Sequence, residues 1–445
     1  MFDKESLRQD VLRRVPAYAS YLEKAGVAPD APWESLPLQG KADYLLAHPF
    51  EQLVWDSDLS GCHFIGCSSG FSKSGSIFWP KRPQDEAKYL DGLKATLIDH
   101  YGIDQKRTLV LVCLAFGTWI AGVQMAATMR AIAIERGDLP VTVCTPGLNL
   151  AEAADICARF SNHFDQFLWI TNPSNVPLIA TLLQRREVPT DSGRHNFAVL
   201  GEYYSQEFRQ WVAERFEQQN PYGIWTGYGS ADTGGIGVET DATIALRSYY
   251  HNHSEECQER FGTTSVPMLL ALSPDLHLEV IEGELVVTKD QLVPLIRYNT
   301  KDAGGILNRA DCPDIAGLPE QMVYVYGRAS EAIIFYGTNL LMSDLADFFL
   351  GLEPDYRYGG LFEVRRKEHE GVTIYQFALY AFEPNDELRE RLEQALLKFL
   401  TGRSLEFAAK FEPLSRSFGE KLITVELRDA AELQGKIKHR YLLEV

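Results

Sequence analysis

The chain has no paired-cysteine motif: its seven cysteines stand at 62, 67, 113, 144, 157, 257 and 312 with no CxxC spacing. That scatter, with an N-terminus Met1-Phe2-Asp3-Lys4-Glu5 that lacks the apolar core of a signal peptide, argues against a secreted disulfide framework and fits a reducing cytoplasm. Positive charge is also short, with 43 Lys and Arg against 61 Asp and Glu, a formal net charge of -18. Broad binding to nucleic acid or to an anionic membrane is thereby disfavoured, although a local basic pocket remains open to a small anion. One span, Thr108 to Met129, carries no charge and is long enough to cross a bilayer. It divides better into the strand Leu109-Val110-Leu111-Val112, a turn at Phe116-Gly117-Thr118 and a helix through Met125, Met129 and Ile132. Internal repeats and low-complexity tracts are absent. What remains is a globular chain of 445 residues, 45% hydrophobic and 23% charged, with room for two or three domains.

The most informative segment present is Ser68-Ser69-Gly70-Phe71-Ser72-Lys73-Ser74-Gly75. Hydroxyls, free backbone N–H groups and one ammonium can converge there on phosphate oxygens. It lies between His63-Phe64-Ile65 and Ile77-Phe78-Trp79, so it reads as a loop joining two strands. The same composition also suits a plain polar hairpin.

The rest of the chain orders itself by period. The first ~60 residues read as short helices, with Leu7, Val11 and Leu12 on one face and Tyr18, Tyr21 and Leu22 on another. From Leu90, Leu93 and Leu97 onward, helical stripes alternate with the strands at 109–114, Val141–Cys144, Phe167–Ile170 and Phe197–Leu200. This alternation implies an α/β fold with a mostly parallel sheet covered by helices, whose ligands sit at the carboxyl ends of the strands. From about residue 265 short strands dominate and suggest an antiparallel β-subdomain extending to 326. A compact α+β unit follows from 327 to 445, with the alternating strand Ile374–Leu379, a helix through Leu388, Leu392 and Leu396, and a strand at Leu422–Leu427. The expected organisation is a large N-terminal domain, residues 1–326, and a small mobile C-terminal domain.

Four further segments carry candidate chemistry. Tyr228-Gly229-Ser230-Ala231-Asp232 follows the strand-like Ile224-Trp225 and offers an aromatic face for a base and a carboxylate for a divalent cation. Tyr298-Asn299-Thr300-Lys301-Asp302 ends another strand on a carboxylate suited to two ribose hydroxyls. Gly327-Arg328 falls where a flexible joint belongs, and Gly435-Lys436 places a cation near the C-terminus. Taken singly, each has an ordinary reading. Asp232 and Asp302 suit caps or turns, Arg328 a surface ion pair, and Lys436 a solvated chain end.

Their joint order resembles the adenylate-forming enzyme superfamily, and within it the phenylacetate–CoA ligase branch. The resemblance runs from Val15-Pro16-Ala17-Tyr18 and Leu22-Glu23-Lys24-Ala25-Gly26-Val27 through Phe116-Gly117-Thr118-Trp119, Gly201-Glu202-Tyr203, the Tyr228 turn, Gly283-Glu284-Leu285-Val286 and Ile296–Asp302. It ends with Gly327-Arg328, Ile333–Asn339 and Gly435-Lys436. It implies activation of a carboxylic acid by ATP and Mg²⁺ as an acyl-adenylate, then capture by a thiol, usually that of coenzyme A. On this resemblance Ser68, Ser69, Gly70, Ser72 and Ser74 would hold the terminal phosphates, Tyr228 and Gly229 the adenine, Asp302 the ribose and Asp232 the Mg²⁺. Arg328 would reach the nucleotide, and Lys436 would bridge carboxylate and α-phosphate. Rotation of the C-terminal domain would then carry Lys436 away and bring Gly337 to the pantetheine channel. Phe116, Trp119, Tyr203, Tyr204 and Ser230 would line the acyl pocket, the aromatic rings suggesting an aryl or arylacetic acid and also suiting core packing. An acyl carrier protein and a second copy of the chain are the candidate protein partners.

Three departures qualify the resemblance. The loop core is Phe71-Ser72-Lys73-Ser74-Gly75 where the branch has a Thr-Thr-Gly-Lys-Pro-like run, Asp232 stands in place of a glutamate, and Ser330 replaces the hinge aspartate. Transfer to a carrier protein, a protein cysteine or an amine is therefore a second reading, and a nucleotide-binding regulator without turnover a third. His251, His253, Glu255, Glu256 and Cys257, with Cys312, form an irregular cluster that reads as a polar loop or, less regularly spaced than zinc requires, a metal site.

Overall fold

The computed structural model describes residues 2–67, 77–135, 140–190, 192–328, 332–335, 338–352, 358–369, 372–403, 411, 421–433 and 442–444. Two helices open the chain, α1 (Lys4–Arg14) and α2 (Pro16–Lys24). Asp3 accepts a hydrogen bond from the Ser6 amide to cap the first, and Pro16 starts the second at a position where its missing N–H costs nothing. Val11, Tyr18 and Leu22 turn inward and share a buried cluster with Leu295, Ile296 and Tyr298. The opening helices thus brace the strand that carries one of the site carboxylates.

A short hairpin follows, β1 (Phe64–Cys67) paired antiparallel with β2 (Phe78–Lys81). The Ser/Gly segment between them lies outside the described residues. Next come α3 (Pro83–Tyr101), β3 (Thr108–Val112), α4 (Ile120–Glu135), β4 (Val141–Cys144), α5 (Leu150–Phe160), β5 (Gln166–Thr171), α6 (Val176–Gln184), β6 (His195–Val199), α7 (Gln206–Arg215) and β7 (Ile224–Ser230). Strands β7, β6, β5, β3 and β4 lie side by side in that order, all parallel. Every residue of β3, β5 and β6 is buried, which is why their centres are apolar on both faces and do not alternate. The uncharged span splits as expected into β3 and α4. Gly122 permits the close return of α4, because a Cβ there would stand 1.9 Å from the Ala115 carbonyl oxygen. No helix among the described residues is long and apolar enough to cross a membrane.

The antiparallel half is not a separate sheet. β8 (Gly234–Val238) pairs with β7 and, after α8 (Asp241–Asn252) and α9 (Ser254–Phe261), β9 (Met268–Leu272) pairs with β8. β10 (Leu276–Ile281), β11 (Glu284–Lys289), β12 (Leu295–Asn308) and β13 (Gln321–Arg328) complete a sheet of eleven strands ordered β10-β11-β12-β13-β9-β8-β7-β6-β5-β3-β4. Strand β7 is the seam between the two halves, parallel to β6 on one edge and antiparallel to β8 on the other. The strand expected to end at Asp302 runs on for six further residues, to Asn308. Positive φ values of 52° at Arg297 and 65° at Lys301 bend it without ending its pairing.

Beyond Arg328 the elements form a second layer. A hairpin of β14 (Ala332–Phe335) and β15 (Thr338–Leu341) leads into α10 (Met342–Gly351). A four-stranded sheet, β18-β17-β16-β19, is built from β16 (Tyr358–His369), β17 (Val372–Ala381), β18 (Ile423–Asp429) and β19 (Leu442–Glu444), with α11 (Asp386–Arg403) packed on it. Its own core holds Leu345, Phe349, Phe362, Phe377, Leu392 and Leu396. Leu350 crosses into the buried cluster that includes Phe208 and Val212.

Acidic side chains of α10 meet the N-terminal core at that crossing. Ser205 Oγ donates to Asp347, and Ser265 Oγ donates to Asp344 at 3.2 Å. Burial raises the Asp347 carboxyl to about 7, against the Ser205 hydrogen bond and the nearby Arg247, with Glu207 and Asp344 adding to the rise. An unfolded aspartate loses its proton at about 3.9, so between these values the folded chain binds the extra proton. The contribution of Asp347 to stability is therefore complete below about pH 4 and is lost as pH rises through about 7. Thermal unfolding followed from pH 5 to pH 8 should show a decline in the wild type that is shallower in Asp347→Asn. Identical slopes would assign the decline to other groups.

Candidate functional site

A cleft of about 1700 Å³ opens beside the central strands of the large sheet. It lies at the carboxyl ends of β5, β6 and β7, lined there by Ile170, Val199 and Ser230, the position at which an open α/β sheet leaves a crevice. Helices α3 and α4 close one side with Leu93, Leu97, Met125 and Met129, and the antiparallel strands close the other with Gly237, Tyr298 and Asp302.

The β7–β8 hairpin positions two functional side chains. Tyr228 lies on the strand itself, and its hydroxyl donates to Asp302 Oδ2 at 2.7 Å. Asp232 stands in the turn that follows, where Ser230 Oγ accepts from the Thr233 amide at 3.2 Å and Gln291 donates to the Asp232 carbonyl at 2.6 Å. The Asp232 carboxylate is only 5% exposed, and its Oδ2 is engaged twice, by the Tyr298 hydroxyl at 2.6 Å and by Lys41 Nζ at 3.0 Å. Oδ1 has no partner. Tyr298 and Asp302 share β12, so one strand fixes both carboxylates, holding Asp232 through a hydroxyl and Asp302 directly.

A divalent cation fits this arrangement. Mg²⁺ in nucleotide sites takes one or two carboxylates together with substrate phosphates and water, and a buried carboxylate oxygen without a donor is such a ligand. Elsewhere among the described residues, no group of three or more His, Cys, Asp or Glu side chains could hold a metal. Cys257 packs in the core of α8 and α9, His253 stacks on Tyr249 with centroids 4.1 Å apart, and Cys312 Sγ lies 3.4 Å from the Asn308 carbonyl.

Of the residues singled out in the sequence, Trp119, Tyr228, Gly229, Ser230, Asp232 and Asp302 line this one cleft. Tyr203, Tyr204 and Phe116 are not among the residues that line it. The Tyr204 hydroxyl is buried between Glu239 at 2.9 Å and Arg209 at 2.7 Å, and Tyr203 donates to the Val266 carbonyl at 2.8 Å. A buried phenol needs such partners, and both tyrosines find them inside the core, away from the cleft. Phe116 packs beside Gly147 and the cluster under α3 and α4. The backbone of Arg328 pairs with Asp302 across β13 and β12, and its side chain lies outside the described residues. Ser68, Ser69, Gly70, Ser72, Ser74, Gly337 and Lys436 also lie outside them.

Sequence reasoning missed Lys41, Tyr298 as the holder of Asp232, and the cleft-facing stripe of α3 and α4. The stripe at Leu93, Leu97, Met125 and Met129 reads in sequence as ordinary core. No local signal separates the two roles, because both need apolar side chains at helical spacing.

No family model and no curated protein matches this sequence. Solved structures match it over nearly its whole length. A 2-hydroxyisobutyryl-CoA ligase in the postadenylation state with 2-HIB-AMP superposes with a TM-score of 0.65 at 15% identity, covering 99% of this chain and 88% of that one. The same ligase in an open conformation with 2-HIB-AMP and CoA gives 0.55 at 14% identity, over 99% and 89%. A GH3.15 acyl acid amido synthetase gives 0.56 at 12% identity, over 96% and 87%. The chain has the fold of the adenylate-forming enzymes, a large N-terminal part followed by a small C-terminal one.

Proposed function

We propose that this protein activates a carboxylic acid as its acyl-adenylate with ATP and passes the acyl group to a thiol, most directly that of coenzyme A. The observation that carries the reading is the Tyr228–Asp302 hydrogen bond at 2.7 Å in the cleft, an aromatic face and a carboxylate locked together where a nucleoside needs both. Adenine stacks on Tyr228 beside Gly229, the ribose hydroxyls donate to Asp302, and Arg328 approaches from the adjoining strand. The serines of the 68–74 loop hold the terminal phosphates. Asp232 would hold Mg²⁺, which when bound shields the phosphate charge from the incoming carboxylate.

In the first step a carboxylate oxygen forms a bond to the α-phosphorus and the bond from that phosphorus to pyrophosphate breaks. Both reactants are anions, so the site supplies cationic charge and in-line placement instead of a base. Lys436 bridges the two. In the second step the thiol sulfur bonds to the acyl carbon, its proton goes to solvent, and AMP leaves. Residues 327–445 act as the moving part. The acid enters the part of the cleft lined by Leu93, Trp119, Met125 and Met129, whose apolar side chains favour an aryl or arylacetic group, and Ser230 lines the same cleft. An amine, a carrier protein or a protein cysteine as acceptor is the second reading, favoured by Ser330 at the hinge and by the fold shared with an acyl acid amido synthetase.

Acid-dependent exchange of labelled pyrophosphate into ATP, run across a panel of carboxylic acids, tests the activation. Absence of exchange with every acid leaves a nucleotide-binding regulator. Consumption of coenzyme A with the accepted acid then separates the thiol from the amine reading. Asp302→Asn should raise the KM for ATP by roughly 10- to 100-fold, the loss of a charged hydrogen bond, while kcat changes little. An unchanged KM would remove Asp302 from the ribose site.

A further inference from the structure

Two lysines that no role above uses converge on the Asp232 turn. Lys81 ends β2 and its ammonium lies 3.5 Å from the Ala231 carbonyl, while Lys289 ends β11 and donates to the Gly235 carbonyl at 2.8 Å. They reach the hairpin from two different elements and grip the residues on either side of its tip. Both line the cleft.

Among the described residues no carboxylate forms an ion pair with either ammonium, although Asp85, Asp232 and Glu86 act on Lys81, and Asp275 and Asp85 on Lys289, from farther away. Burial lowers Lys289 to about 8, the neighbouring charge of Lys81 adds to the fall, and burial likewise lowers Lys81. Two cations held together with so little compensation are stabilised by an anion placed between them.

Position along the sheet says which anion. Asp302 lies beside the Glu284–Ala303 pair, Tyr298 with its Asp232 partner stands opposite Val287, and Lys289 closes the same strand. From Glu284 to Lys289 is five positions, about 17 Å at the strand repeat. The order is therefore ribose carboxylate, metal carboxylate, then the lysine pair, which is the order of ribose, inner phosphate and outer phosphates in an extended nucleotide.

Resting on the adenylation reading, we propose that Lys81 and Lys289 form the polyphosphate end of the nucleotide site and hold the β- and γ-phosphates that leave as pyrophosphate.

Binding of inorganic pyrophosphate and of AMP, each with magnesium, is measured by calorimetry on the full chain and on Lys81→Gln, Lys289→Gln and the double variant. Each single change should weaken pyrophosphate binding roughly tenfold and the double change by more, with AMP affinity held within twofold. Lys289→Arg should retain most of the binding. Unchanged pyrophosphate affinity in the double variant overturns the subsite, as does a wild type that does not bind pyrophosphate. So does a parallel loss of AMP affinity, which marks a collapse of the turn. Acid-dependent exchange by the wild type decides the adenylation reading separately, because it can succeed while the lysine variants bind pyrophosphate normally.

Discussion

Lys436→Ala should lower the adenylation rate by roughly 100-fold or more while leaving ATP binding nearly intact. The reason is the charge pattern of the first step, in which an anionic oxygen closes on an anionic phosphate and negative charge crowds on the α-phosphoryl oxygens. A cation aimed at that point stabilises the transition state more than either ground state, so its removal falls on kcat. The lysine belongs to Gly435-Lys436, between β18 and β19 in the chain, in a stretch outside the described residues. Pyrophosphate exchange measures the first step, and release of AMP from supplied acyl-adenylate plus thiol measures the second, which should proceed normally in the variant. Exchange that survives in Lys436→Ala and disappears in Lys438→Ala would move the role two residues along.

The second large effect is on folding. Glu239→Gln should destabilise the chain by about 3–5 kcal/mol, enough to consume much of the 5–15 kcal/mol typical of a domain. The Glu239 carboxylate is buried and meets Arg209, the Tyr204 hydroxyl at 2.9 Å and the Thr226 amide at 3.1 Å, with Arg247 at 3.7 Å. Both guanidiniums are themselves buried. An amide of the same shape takes from two buried cations the carboxylate they share, the costly half of breaking a buried pair. Thr226 precedes Tyr228 on β7, so the damage extends to the strand that lines the cleft. Urea unfolding should show the midpoint moving sharply down with little change in slope. A midpoint within experimental error of the wild type would mean the network carries no net stability.

These two residues divide along the line between what the chain spells and what the fold builds. The expectation for Lys436 comes from the sequence, because it follows a glycine in a short motif at a fixed place in an ordered series of segments. Glu239 is one acid among many, and nothing around it in sequence announces that Arg209 and Arg247 will close on it. The same holds for the tyrosines. Tyr203 and Tyr204 follow Gly201-Glu202 and look placed for a pocket, yet their hydroxyls are taken by Val266 and Glu239 inside the core.

The sequence by itself determined the parts that depend on local period and on order along the chain. Apolar runs bounded by turn residues specified the buried parallel strands, helical stripes specified the helices between them, and the succession from the Ser/Gly loop to Gly435-Lys436 pointed to an adenylate-forming fold. The tertiary structure alone decided which side chains meet. The bond from Tyr228 to Asp302, the hold of Tyr298 and Lys41 on Asp232, and the approach of Lys81 and Lys289 to one turn all depend on the register of β12 against β11 and on β7 pairing differently along its two edges. Register is set by the packing of the whole sheet, and a shift of one residue reverses every side chain on a strand. Periodicity is therefore readable from a few neighbouring residues, whereas a binding site assembled across strands is not.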